Sequence, residues 1–296
     1  MENILERLPQ GARVALIRLR SLGDCVLTTP ALQILRRFRP DLRVGVAVES
    51  RFAAVFEGNP DVDSLLAPSA AAVRAWRPEL CVNLHGGTKS AQMIAFSGAR
   101  YRAGFSHYRF PWIYNIRIPR AQEVLGVERT VHTAEHVGSA LFYLGVPPVE
   151  IPRARLYAPR AEAGTPYAVI HPFASRPDKV WPMAKFLDAA AALPFEAVFI
   201  GGPGDDPGYF SKHRTVFGAP LSITKQLIQG ASLFLGNDSG PAHMAAAFGV
   251  PLVVLFGSSN PAIWAPWRAP SEVLTNLDQV SVDQVLSAIS RLQVHA

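Results

Sequence analysis

Short apolar runs, each ending in a turn and giving way to a helical stretch, recur along this chain, and one proline-rich break divides them into two sets. In the first set Arg13 to Leu19 (RVALIRL) ends at Ser21-Leu22-Gly23-Asp24, and a single helical pattern is expected from there to Arg39. Arg43 to Glu49 and Leu80 to Leu84 follow, the second feeding His85-Gly86-Gly87-Thr88, and Thr133 to Leu144 reads as a helix closed by Gly145. From Val146 to Pro166 the chain is rich in proline and poor in periodicity, which predicts a linker. The second set comprises Tyr167 to His171, Glu196 to Ile200, Leu233 to Gly236 and Pro251 to Phe256, with helices from about Met183 to Leu193, near Ile223 to Gln229 and after Gly240. A last helix is expected from about Val282 to Gln293, with Ser281 and Gln284 at capping-box spacing and Val285, Ile289 and Leu292 as its apolar stripe. Apolar runs alternating with helices indicate parallel βαβ units. The expected architecture is α/β, two doubly wound Rossmann-like domains facing across a cleft, with boundaries at 1–150 and 151–280 and a C-terminal helix over 281–296.

Composition narrows the function classes. At 49% hydrophobic and 18% charged the 296 residues are those of a folded chain, and no apolar stretch is long enough to span a membrane. The N-terminus lacks the apolar core of a signal peptide, and Cys25 and Cys81 are too few for a disulfide framework, so a cytoplasmic protein is expected. Charge is uneven: residues 1–150 hold 18 Lys+Arg against 13 Asp+Glu, whereas 151–296 hold 11 against 10. Between Arg100 and Arg120 lie five arginines, among them Arg102, Arg109 and Arg117, with interleaved aromatics and no acid. That segment is either a solvated basic loop or a face for phosphates.

In open parallel sheets ligands bind beyond the carboxyl ends of the strands, so the turns there are the candidate sites. The first turn has one glycine and fails the GxGxxG dinucleotide fingerprint, which weakens a nicotinamide or flavin reading. It offers Asp24 at a helix N-terminus, either as a cap or as a general base for a hydroxyl brought to the strand end. After Tyr167–His171, Ser175 and Lys179 can give a hydroxyl and a point charge to a phosphate, or lie in a plain loop with Trp181 as a core anchor. In Gly201-Gly202-Pro203-Gly204-Asp205-Asp206 an acid can bind ribose hydroxyls, or the segment is a tight exposed turn. Gly236-Asn237-Asp238-Ser239-Gly240-Pro241-Ala242-His243 joins a buried strand to a small-residue helix whose first N–H groups, at Ser239 and Gly240, point at an anion. A capped helix explains Ser-Gly-Pro but not Asp238 and His243 beside it.

These turns, in this order, resemble glycosyltransferase family 9, the ADP-heptose:lipopolysaccharide heptosyltransferases, over Ile17 to Leu35, Leu80 to Phe105, His171 to Pro182 and Leu233 to Pro266. The SLGD…TTPAL and NDSGPAH…FG signatures carry the resemblance. It implies a GT-B fold, with the acceptor domain first and the donor domain second. It places the catalytic base on Asp24 and the phosphate-contacting hydroxyl and lysine on Ser175 and Lys179. The D-[ST]-G-x-x-H motif falls on Asp238, Ser239, Gly240 and His243, and the ribose-binding acid on Asp205 or Asp206. The implied reaction is an inverting displacement that needs no metal or cofactor, the nucleotide-sugar being a co-substrate. Arg102, Arg109 and Arg117 would then meet a lipid-linked or oligosaccharide acceptor, with peripheral contact at the inner membrane. The alternatives are a nucleotide-sugar epimerase of the same fold and a non-catalytic nucleotide- or sugar-binding module. Charge alone permits nucleic acid, but no recognised nucleic-acid motif is present.

Overall fold

A computed structural model describes residues 3–159 and 164–294, and the chain divides into two compact units, Met1–Pro152 and Arg153–Ala296. The first holds strands β1 (Arg13–Ile17), β2 (Arg43–Ala47), β3 (Ser64–Leu66), β4 (Leu80–Asn83), β5 (Tyr101–Phe105) and β6 (Ile116–Ile118). Its helices are α1 (Ile4–Arg7), α2 (Leu22–Val26), α3 (Thr29–Phe38), α4 (Ala70–Trp76), α5 (Thr88–Ala95), α6 (Ala121–Leu125) and α7 (Thr133–Tyr143). The second holds β7 (Tyr167–His171), β8 (Glu196–Gly201), β9 (Arg214–Phe217), β10 (Leu233–Asn237), β11 (Leu252–Phe256) and β12 (Ser271–Thr275). Its helices are α8 (Met183–Ala191), α9 (Leu221–Gln229), α10 (Gly240–Phe248), α11 (Pro261–Trp264) and α12 (Val282–Arg291).

Each unit is a six-stranded sheet, ordered β3-β2-β1-β4-β5-β6 in the first and β12-β11-β10-β7-β8-β9 in the second, with every pair parallel. Numbered from its own first strand, each sheet reads 3-2-1-4-5-6, the doubly wound order. The chain therefore builds one topology twice although its sequence carries no internal repeat. The order reverses between β1 and β4 in the first unit and between β7 and β10 in the second, and there the crossovers leave on opposite faces and a crevice opens. The central strands are buried along almost their whole length, as strands covered on both faces must be. Separate apolar clusters hold the two units, around Ile17, Met93 and Ile94 in the first and Trp181, Phe186 and Phe199 in the second. Each such side chain contributes about 1.5–3 kcal/mol on burial. No helix among the described residues is long and apolar enough to cross a membrane.

The structure differs from the sequence-based expectation in three places. The single helix expected after Asp24 is two, α2 and α3. Pro30 has no N–H for the Val26 carbonyl, and the Thr29 hydroxyl bonds that carbonyl instead (2.9 Å), while the Thr28 hydroxyl takes the Asp24 carbonyl (2.8 Å). The segment 100–120 is not a plain loop, since β5 and β6 extend the sheet through it around a 3-10 turn at Pro111–Ile113. Strands β3, β9 and β12 had no sequence signal because they lie toward the sheet edges, short or half-exposed. The proline-rich break holds no strand or helix among its described residues, and residues 160–163 of it lie outside them. In α12, Ser281 and Gln284 do form the capping box (3.2 and 2.8 Å), and Val285 and Ile289 enter the second core. The end of the C-terminal segment, 295–296, lies outside the described residues.

Candidate active site

Strand β1 ends at the switch point of the first unit, and the chain there turns directly into α2 with Ser21 as N-cap. Asp24, in the first turn of α2, reaches back so that its Oδ2 accepts from the Ser21 N–H (3.3 Å) and hydroxyl (2.9 Å). Its Oδ1 accepts from the guanidinium of the buried Arg18 (3.2 Å), which also donates from Nε to the Thr28 hydroxyl (3.1 Å). The carboxylate is thus fixed from two sides while its side chain keeps 23% exposure. The cap and the base are not exclusive readings: capping is what orients an acid that solvent still reaches.

Across the switch point, buried Asn83 closes the turn after β4 by accepting from the N–H groups of His85 (3.0 Å) and Gly86 (3.1 Å). His85 bonds the Arg20 backbone, and burial first, then the Arg18 charge, hold its ring below the usual histidine range. The Tyr108 hydroxyl lies 3.3 Å from both the Leu84 carbonyl and His136 Nε2, and Phe105 stacks on His136 at 4.0 Å. Burial pushes Tyr108 up to about 12 and His136 down to about 4, the latter helped by Arg18 and His107, so both are neutral at neutral pH. Sequence reasoning gave none of these three a role. His85 follows a recognisable strand and could have been found; His136 sits in a helix at no special spacing.

In the second unit the switch point lies between β7 and β10. Asn237, at the end of β10, is buried and stitches the loop after β7 in place: its Nδ2 donates to the Pro172 carbonyl (2.8 Å) and its Oδ1 accepts from the Trp181 N–H (3.1 Å). Trp181 is the core anchor that the bland alternative supposed, fully buried with its indole N–H on the Val280 carbonyl (3.1 Å). That fixed loop brings Lys179 to Asp238, with Nζ 3.1 Å from Oδ2. The Ser259 hydroxyl donates to the same oxygen (2.5 Å). Ser259 arrives because the turn after β11 presses onto residues 178–179, where a Cβ on Gly257 would run into the Asp178 carbonyl.

Helix α10 starts at Gly240 with Ser239 as N-cap, but the Ser239 side chain does not cap it. Its hydroxyl instead meets Nδ1 of buried His171 at 3.0 Å, and burial holds that histidine at about 4. The orphan N–H groups of Ser239, Gly240 and Ala242 are therefore left to the crevice, Pro241 having none to offer. His243 is buried one turn in, its ring 6.4 Å from that of Trp264.

The remaining candidates lie outside these two clusters. Ser175 is exposed on the loop after β7. Asp205 and Asp206 both close their own turn, accepting from the N–H of Gly202 (2.7 Å) and of Gly208 (2.8 Å). Arg102 is folded back, with Nε on the Ile113 carbonyl (3.1 Å) and an amino group on the Ala99 carbonyl (3.2 Å). Arg109 and Arg117 are exposed. No group of three His, Cys, Asp or Glu side chains among the described residues could hold a metal ion.

Comparison with known proteins adds four likenesses. The sequence model described as glycosyltransferase family 9 (heptosyltransferase) matches residues 70–287. Lipopolysaccharide heptosyltransferase 3 of Escherichia coli is 28% identical over an alignment of 287 positions that takes in 84% of each chain. Among solved structures, a family 9 glycosyl transferase from Veillonella parvula superposes with a TM-score of 0.85 at 22% identity, over 97% of this chain and 98% of that one. The E. coli ADP-heptose lps heptosyltransferase II does so at 0.81 and 19%, over 95% and 98%. At those identities the two structures speak to the fold, a GT-B pair of Rossmann-like domains.

Proposed function

Because the chain belongs to glycosyltransferase family 9, we propose that it is an inverting heptosyltransferase, moving a heptose from an ADP-heptose donor to a lipopolysaccharide-core acceptor. The observation that carries the reading is the opposite chemistry of the two switch points: an oriented carboxylate at one, an uncapped helix N-terminus beside a lysine at the other. The donor and acceptor are those by which its relatives, a lipopolysaccharide heptosyltransferase and an ADP-heptose lps heptosyltransferase, are known. In this reading residues 1–150 bind the acceptor and 151–280 the donor.

The chemistry is a single displacement. Asp24 takes the proton of the acceptor hydroxyl as its oxygen bonds the anomeric carbon, and the bond from that carbon to the diphosphate oxygen breaks. The electron pair leaves with the nucleoside diphosphate, whose charge is met by the N–H groups of Ser239, Gly240 and Ala242 and by Lys179, with Ser175 adding a hydroxyl. These donors are fixed before the reaction, which is what makes them effective on a developing charge. Asp238 holds Lys179 in place, and His243 completes the motif from within α10. Asp205 or Asp206 meets the ribose from the turn after β8. Arg102, Arg109 and Arg117 meet anionic groups of the acceptor, Arg102 from a fixed position. The acceptor is lipid-linked or a core oligosaccharide, reached from the cytoplasm by peripheral contact with the inner membrane.

Family membership sets aside the epimerase alternative, and a non-catalytic nucleotide- or sugar-binding module would show no turnover in the test that follows. The decisive test is release of nucleoside diphosphate from ADP-heptose with and without a heptose-deficient core acceptor. Release that requires acceptor supports transfer. Conversion of the donor alone, or no turnover with any acceptor, would overturn it.

A further inference from the structure

The first unit carries two exposed aromatic side chains that the transfer chemistry does not use. Among its described residues Trp112 and Phe96 are the most exposed large apolar side chains, at 70% and 63%. Trp112 sits in the 3-10 turn between β5 and β6, and Phe96 ends α5. Arg102 ties the two places together, bonding the carbonyl after Trp112 and the carbonyl of Ala99, three residues beyond Phe96. Arg109 adds a second tie, reaching the Thr88 hydroxyl at the start of α5 (3.3 Å) while lying over the Phe110 ring.

The turn is held in a demanding conformation. Phe110 is left-handed (φ +59°), a region a bulky side chain rarely adopts, and its ring stands edge-on to Trp112 at 5.4 Å. A surface tryptophan kept out by a strained neighbour and two arginine ties is presented, not merely left over. The sequence around it carries charge of one sign only: from Leu80 to Gln122 there are six Lys+Arg and no Asp or Glu. Lys89, Arg100, Arg109, Arg117 and Arg120 are exposed, and none forms an ion pair among the described residues.

We propose that Trp112 and Phe96, with the exposed cations around them, form a docking surface for an anionic lipid bilayer. Indole and phenyl rings partition to the level of the headgroups, where the apolar ring and the polar N–H are both satisfied. Unpaired cations beside them gain from the negative surface potential within a Debye length. Neither signal alone anchors a protein, and their coincidence in one stretch of the first unit is what selects a bilayer. The surface rests on the proposed reading only for its use, bringing the enzyme to a lipid-linked acceptor.

The binding measurement needs neither donor nor acceptor. The full chain is sedimented with phosphatidylcholine vesicles that contain or lack phosphatidylglycerol. Binding is expected to the anionic vesicles only and to weaken with salt. A Phe96→Ser, Trp112→Ser double variant should lower that partition by roughly tenfold or more. Its melting temperature and its transfer to a delipidated acceptor should stay at wild-type values. Equal partition of wild type and double variant, or no wild-type binding to anionic vesicles, would overturn the proposal. So would a wild type that dimerises through this face, shown by a monomeric double variant and no vesicle binding. Vesicle binding without any transfer activity would leave the surface standing and sink the heptosyltransferase reading instead.

Discussion

The two switch points are the same place in the same topology, and they are finished in opposite ways. In the first unit the helix that follows the strand turns its own acid back onto its N-cap, so the Asp24 carboxylate takes the Ser21 N–H and sets a negative charge where an incoming anion would approach. In the second unit Ser239 gives its hydroxyl to His171 and leaves the N-terminus of α10 open, with Lys179 alongside. A doubly wound sheet supplies a crevice and a helix end; one or two side chains decide whether that end repels phosphate or takes it. In the proposed reading the carboxylate half serves a neutral hydroxyl and its proton, and the open half a diphosphate.

Breaking the carboxylate half should give the largest effect. Asp24→Asn keeps the shape and loses the base, so kcat should fall about 10²- to 10⁴-fold, with nucleoside diphosphate affinity by calorimetry unchanged. Near-normal turnover would return Asp24 to a cap. Next comes the open half: Gly240→Val should cost about a hundredfold in donor affinity, with an unchanged melting temperature, since a side chain there intrudes where the phosphates approach. Gly240 has no positive φ, so the loss would be one of space and not of backbone strain. Ser239→Thr should be tolerated because it keeps the hydroxyl on His171.

Smaller effects sharpen the contrast. Lys179→Ala should weaken nucleoside diphosphate by about tenfold and nucleoside hardly at all, as expected for one charge-assisted bond to phosphate. Equal losses on both ligands would place Lys179 away from the phosphates. Neutralising Arg102, Arg109 and Arg117 together should raise the acceptor KM several-fold without changing donor affinity, and added salt should act on wild type in the same direction. Each half also holds a histidine that burial keeps neutral, His136 in the first and His171 in the second, each held at about 4 against an ordinary 6.5. The unfolded chain gains protons on both below pH 6.5 while the folded chain does not. The melting temperature should therefore be flat above pH 6.5 and fall as pH drops toward about 4. Replacing either histidine with Phe should flatten part of that fall.

Much of this was legible in the sequence because buried parallel strands are unbroken apolar runs and their turns carry the chemistry. Asp24, Lys179 and Asp238–Gly240 all follow such runs. The outer strands were not legible: β6 is three residues with Arg117 pointing out, and β3 is no longer. Their strand state comes from pairing with a neighbour distant in sequence, which no local period records. The Tyr108–His136 pair and the Ser259–Asp238 bond were hidden for the same reason, 28 and 21 residues separating the partners. The doubly wound class was legible in the alternation of strands and helices, whereas the strand order, the same in both units, needed the structure, since a topology used twice leaves no repeat when each copy is finished differently.

The central claim, that the open helix end and not the carboxylate turn receives the diphosphate, is tested most directly by a crystal structure with nucleoside diphosphate bound. Phosphate oxygens are expected within hydrogen-bond distance of the N–H groups of Ser239, Gly240 and Ala242 and of Lys179 Nζ, with the Asp24 turn free of phosphate. Phosphates seated at the turn after β1, or beyond hydrogen-bond reach of residues 239–242, would contradict both the division of roles and the chemistry built on it.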